Sequence, residues 1–180
     1  RITPYENVIV SGTNVEPGGL NLLVNQKTVV AETGKLKIPL TAEGDPSYVL
    51  TSTKGIDVLT NGRALFENNA QLMQSVTASN SGSILMQRNA TIPVSTFNQY
   101  VYWSSPVVGQ DYTKIFPGQP TSAQYYIESN DRFGASAGTY ILGRGLAVKN
   151  PIKEATVPST LVAEFTGTPY VGNYDYPLAW

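Results

Sequence analysis

An all-β fold is predicted for this chain, from three observations. Short strand-like runs are separated by Gly, Pro or Asn along its length; charged residues make up only 14% of it, against the roughly 25% usual for soluble domains; and no stretch shows a helical period. Residues 1–95 read as a repetitive region of short stacked strands, solenoid-like or alternatively an antiparallel sandwich, and residues 96–180 as a β-sandwich-like module that continues beyond the chain. With 180 residues and 41% hydrophobic content there is enough apolar side chain for one good core or two small ones.

The first strand is Asn7–Ser11, followed by Gly12 and the turn signal Pro17-Gly18-Gly19. Leu20, Leu22 and Val24 alternate with Asn21 and Leu23; Thr28–Ala31 is a short run; Leu36, Ile38 and Leu40 alternate with Lys35, Lys37 and Pro39. Such alternation marks strands with one buried face. Further runs at Tyr48–Leu50, Ile56–Leu59, Ala64–Phe66, Gln71–Val76 and Ile84–Met86 are punctuated by Gly44, Gly55, Asn61-Gly62, Asn68-Asn69 and Gly82. Starts recur at about eight residues, so three strands would make one coil of a parallel stack that buries its apolar face against the coils above and below. Asn61-Gly62 is the one good tight-hairpin dipeptide.

Tyr100-Val101-Tyr102-Trp103-Ser104-Ser105 has large groups on both faces and ends at Pro106, the pattern of a central strand covered on both sides. Phe116–Pro120 is a loop by composition. Strands resume at Tyr125–Glu128, before a polar loop Ser129–Gly134, and at Thr139–Leu142, Leu146–Val148 and Thr160–Phe165, the last with Leu161, Ala163 and Phe165 on one side. The aromatic tail, with Tyr170, Tyr174, Tyr176 and Trp180, would leave a large apolar patch if uncovered. These residues are therefore expected to contact a continuation of the same protein or an identical subunit, in a head-to-tail array that propagates as a filament.

Composition excludes several function classes. A net charge of −1 with scattered Lys and Arg makes no field for nucleic acid. No apolar run approaches the roughly 18 residues of a membrane-spanning helix, so no membrane insertion is expected. Without Cys there is no thiol or disulfide chemistry, and without His the commonest general base, the usual zinc ligand and every Ser-His-Asp arrangement are missing. No catalytic residues are assigned.

Four phrases occur together: Gly62–Gln74, Gly82–Arg88, the Tyr102-Trp103-Ser104-Ser105-Pro106 core, and Phe165-Thr166-Gly167-Thr168-Pro169. In this order they resemble large secreted proteins of the Bacteroidota (flavobacterial cell-surface proteins) exported by the type IX secretion system. The resemblance spans roughly residues 55–170. It implies an extracellular or cell-surface location and a structural role, and it carries over no catalytic residue. The Asn-Pro-Tyr-Pro segment and the sorting domain of that group do not occur in these 180 residues.

Two groups of residues are candidates for a site, and one pair is a candidate for fixing strand register. Tyr100, Tyr102, Trp103, Tyr125 and Tyr126 could form an aromatic platform for sugar rings, or be core and cross-strand pairs. Glu128, Asn130 and Asp131 offer hard oxygen ligands suited to calcium, or are turn residues chosen for their backbone preferences. Arg88 is placed to pair with Glu67 between stacked strands and fix register. The function expected from these observations is a non-catalytic extracellular structural or adhesive module, part of a fibre. A carbohydrate-binding module is the alternative, and a polysaccharide-acting enzyme domain the second.

Overall fold

The computed structural model describes residues 5–12, 16, 21–41, 45–94, 99–136, 141–152 and 156–175. Their regular structure is almost wholly strand, with two short 3-10 turns at Tyr112–Lys114 and Glu128–Asn130. The all-β prediction holds. Two compact units are present: Arg1–Arg88 with Thr166–Asn173, and Asn89–Phe165 with Tyr174–Trp180. This division differs from a single boundary at residue 95. It falls inside a strand, at 88/89, and the segment 166–173 returns to the first unit.

The first unit holds β1 (Val8–Val10), β2 (Asn21–Val24), β3 (Lys27–Val30), β4 (Lys35–Ile38), β5 (Val49–Ser52), β6 (Gly55–Val58), β7 (Arg63–Phe66), β8 (Gln71–Met73) and the start of β9 (Ile84–Ile92). Consecutive strands do not pair. Instead each lies in a different parallel sheet: β1-β3-β6, β2-β5-β8, and β4-β7-β9. The registers Asn21 to Val49, Lys27 to Gly55 and Lys35 to Arg63 share one offset of 28 residues, so the second coil repeats the first with every strand in step. The result is solenoid-like stacking of short strands. Asn61-Gly62, the one dipeptide suited to a tight hairpin, does not make one: Asn61 takes a left-handed φ of 64°, and the turn passes the chain from β6 in one sheet to β7 in another.

In-register stacking makes columns of like side chains. Val10, Val30 and Val58 form one buried column, and Ile38, Phe66 and Met86 another. Each large apolar side chain taken out of water in this way contributes about 1.5–3 kcal/mol. A polar column runs beside them. The Ser52 hydroxyl accepts the Thr28 N–H at 3.0 Å and donates to the Gly55 carbonyl at 2.6 Å; one coil on, at the same offset, Asn80 Oδ1 accepts the Ile56 N–H at 2.9 Å. Asn80 also exchanges hydrogen bonds with the Gln74 amide and donates to the Pro169 carbonyl at 3.0 Å, which ties the returning segment 166–173 to the stack. Gly34 is required where it stands, because a Cβ there would lie 2.0 Å from the Val10 carbonyl oxygen.

Arg88 does not form the expected ion pair with Glu67. Its guanidinium donates to the carbonyls of Glu67, Ala70 and Gln87, closing the turn after β7, while the Glu67 carboxylate receives the Leu40 N–H and faces Lys37 at 3.4 Å. Burial lowers the Arg88 pKa from its ordinary value.

The second unit holds β10 (Tyr100–Trp103), β11 (Ala123–Ile127), β12 (Arg132–Ser136), β13 (Leu146–Lys149) and most of β14 (Ser159–Gly167). Four of these make an antiparallel sheet in the order β10-β13-β11-β12, and β14 pairs with β9. The Trp103 strand is therefore an edge strand, not a central one, and its burial alternates: Tyr100 and Tyr102 are exposed, Val101 and Trp103 half-buried. A strand with aromatic groups on both faces needs cover on only one of them when Tyr hydroxyls keep the other wet. On the inner face Trp103 meets Phe165 at 5.6 Å, edge to face, and Phe165 meets the buried Tyr112 at 6.5 Å. The Tyr112 hydroxyl in turn accepts the Ser105 N–H at 2.6 Å, so the loop after Pro106 is anchored beneath the sheet. Val107, Ile115, Phe116, Leu146, Val148 and Ala163 complete this core.

Candidate functional site

The outer face of the β10-β13-β11-β12 sheet is the site with the most chemistry to offer. Residues opposite one another in an antiparallel sheet point to the same side. The register sets Tyr102, Ala147, Gln124 and Ala135 in one row, with Tyr100 beside Lys149 and Tyr126 beside Phe133. Ala147 is small, which leaves room for the Tyr102 ring to reach Phe133, the centroids standing 6.3 Å apart at an interplanar angle of 49°. Phe133 meets Tyr126 at 5.5 Å and 67°. Tyr102 is 70% exposed, and Tyr100, Tyr126 and Phe133 are exposed as well. Three touching aromatic rings thus face solvent, where such groups are rarely left without a role.

The Tyr126 hydroxyl donates to the Asp131 carboxylate. That hydrogen bond, with the nearby negative charges of Asp131 and Glu128, raises the phenol pKa from its usual value and keeps the proton in place as a donor.

The five aromatic residues singled out from sequence separate. Tyr100, Tyr102 and Tyr126 lie on the outer face; Trp103 points inward to Phe165; Tyr125 lies under the Arg144 guanidinium, 4.8 Å from its ring centre, on the side opposite Tyr126. Glu128, Asn130 and Asp131 form the β11–β12 turn. Asp131 adopts the left-handed conformation at φ 49° and its N–H bonds the Glu128 carbonyl, while the Glu128 carboxylate stands 4.0 Å from Arg144. Both carboxylates of the expected calcium set thus have protein partners. No group of three or more His, Cys, Asp or Glu side chains placed to hold a metal ion occurs among the described residues. Of the tail residues, Tyr170 is half-buried and donates to the Asn173 carbonyl, Tyr174 is exposed, and Tyr176 and Trp180 lie outside the described residues.

Phe133 is the member of the cluster that sequence reasoning missed. Ser129–Gly134 reads as a polar loop, whereas the turn ends at Asp131 and β12 begins at Arg132. The available signal was the Ser129-Asn130-Asp131 run: read as a tight turn between strands, it places Phe133 opposite Tyr126.

Compared with known proteins, residues 3–180 match a family described as a domain of unknown function, DUF8693. The chain belongs to the DUF8693 family. No curated protein and no solved structure matches it. The DUF8693 match covers both units and assigns no activity to the aromatic face.

Proposed function

We propose that this DUF8693 chain is a non-catalytic structural and adhesive module that works outside the cell, with the outer face of the β10-β13-β11-β12 sheet as its contact surface. The observation that carries the reading is the exposed Tyr102–Phe133–Tyr126 cluster. Aromatic rings held on a sheet lose little side-chain entropy on contact and bury large areas, which suits adhesion. The ring planes are inclined to one another by 49° and 67°, so they offer knobs that interdigitate with a partner surface in preference to the flat platform that stacks along a glucan chain. The absence of His favours a non-catalytic role. The extracellular setting and type IX export rest on the sequence resemblance, and assembly into a fibre rests on the aromatic tail of Tyr170, Tyr174, Tyr176 and Trp180; they belong to the proposal on that footing.

The test is adsorption to protein-coated and polysaccharide-coated films, followed by mass on a quartz crystal, for the native chain and for Tyr102→Ala and Phe133→Ala. Retention on the protein film should fall by roughly tenfold in each variant, about 1.4 kcal/mol per aromatic contact. Saturable binding to one glycan, lost in the same variants, would replace adhesion with carbohydrate recognition. Hydrolysis of a polysaccharide would overturn the non-catalytic reading.

A further inference from the structure

The β8 strand ends its sheet in an unusual way. Edge strands of soluble proteins are normally blunted by charge, Pro or a bulge. At the other end of the chain's parallel sheets, β4 follows this rule with Lys35 and Lys37, and Pro39 just after it. β8, Gln71-Leu72-Met73, is guarded by its shortness alone and carries neither a charge nor a Pro. Its inner edge is paired with β5, and the Gln71 N–H is given to the Tyr48 carbonyl at 2.9 Å. A parallel ladder uses alternate residues of each strand, so the N–H and C=O of Leu72 turn away from β5. Leu72 also lines a groove of about 240 Å³, with Leu72–Val76 as one wall and Tyr170, Val171 and Gly172 as the other. Both walls belong to the first unit. Met73 and Val76 stand 52% and 63% exposed, and none of the described residues lining the groove is charged.

We propose that this groove is a strand-addition site, in which an extended, uncharged peptide segment of another polypeptide joins the β2-β5-β8 sheet as its fourth strand. The matching is by chemistry. The main-chain groups of Leu72 that turn away from β5 pair with a peptide backbone, which presents donors and acceptors alternately along its length. Met73 and Val76 take its apolar side chains, and a charged ligand gains nothing from a lining without charge. The site is separate from the aromatic face and stands or falls independently of it.

Fluorescence polarisation with labelled, end-capped hexapeptides tests this. The strand-forming probe carries the sequence of Tyr48–Thr53, which forms β5's side of the existing ladder, and the control has Pro at alternate positions. The native chain should bind the first saturably and the second not at all. Leu72→Pro, which removes an outward N–H without touching the β5 ladder, should weaken binding by roughly tenfold or more, the effect of one main-chain hydrogen bond together with its geometry. Met73→Lys restores an edge guard at an exposed position and should weaken binding similarly; it decides the matter if Leu72→Pro does not fold. Absence of saturable binding by the strand-forming probe overturns the proposal, as does binding that survives in folded Met73→Lys. Concentration-dependent self-association that Met73→Lys abolishes would assign the groove to a second copy of this chain, and oligosaccharide binding lost in the same variant would assign it to a glycan; either result overturns the peptide reading.

Discussion

Trp103 packs its indole against Phe165, yet its Nε1–H is buried with no partner among the described residues. A buried donor without an acceptor costs about 1–3 kcal/mol, so the residue combines a favourable ring contact with an unfavourable polar atom. Trp103→Phe should therefore leave stability unchanged or raise it slightly, whereas Trp103→Ala should cost about 2–3 kcal/mol, less than for a fully buried ring because Trp103 is half-exposed. Urea unfolding followed by tyrosine fluorescence checks both. Asp57 shows the opposite balance. Burial alone would raise its pKa, but hydrogen bonds from Lys27 and Ser81, each at 2.8 Å, and the Lys27 charge outweigh it and hold the carboxyl below its usual range. With the folded pKa depressed, the stabilisation is present above the unfolded value of about 4 and is lost as pH falls through the folded value. Asp57→Asn should flatten the fall in the urea midpoint below about pH 4. Because the pair is partly exposed, the loss at neutral pH should stay within roughly 1 kcal/mol.

Elements in the first unit depend on how closely one coil can lie on the next. Gly55 opens β6 with φ 117°, and a Cβ there would meet the Ser79 carbonyl oxygen at 2.1 Å. Gly55→Ala therefore meets both a backbone penalty and a clash with main chain that cannot rotate away, and should cost about 3 kcal/mol or more. Gly109 provides the control: its φ is 79°, but nothing lies within 4 Å of an added Cβ, so Gly109→Ala should cost only the conformational term, about 1–2 kcal/mol. Denaturant midpoints of the two variants measure the difference. In the second unit the β11–β12 hairpin is held by its turn and by the Tyr126–Phe133 pair. Phe133→Ala should lower stability by about 1 kcal/mol, the cross-strand aromatic contribution, without changing the strand content in circular dichroism.

At the scale of the whole molecule, the arrangement of pairings sets the folding rate. The parallel pairs β2–β5, β3–β6 and β4–β7 of the first unit each join residues 28 positions apart, and β14 returns from the far end of the chain to pair with β9. Loop closure must precede the gain from such contacts, and chains of this kind fold in milliseconds to seconds or slower. Stopped-flow refolding should show that slow phase, with no helical signal in the dead time. A refolding reaction complete within microseconds would contradict this long-range parallel pairing.

The all-β class was legible from residue types, because alternation of apolar and polar residues, as at Leu36 and Ile38 or along Thr160–Phe165, depends only on which face of a strand is buried. Stacking of short strands was legible too, from their spacing and the brevity of the loops. Several features could be settled only by the tertiary structure: the partner of each strand, the edge position of the Trp103 strand, the division of the aromatic residues between two faces, and the carbonyl cage around Arg88. A two-residue alternation is the same for parallel and antiparallel neighbours, for central and edge strands, and for any register. The hydrogen bonds that choose among these possibilities are made by the main chain, which is alike at every residue but proline. Gly34 and Asn80 show where the tertiary structure leaves a mark on the sequence: the first because a carbonyl of another strand lies where its Cβ would be, the second because one side-chain amide closes the bonds of Ile56, Gln74 and Pro169 together.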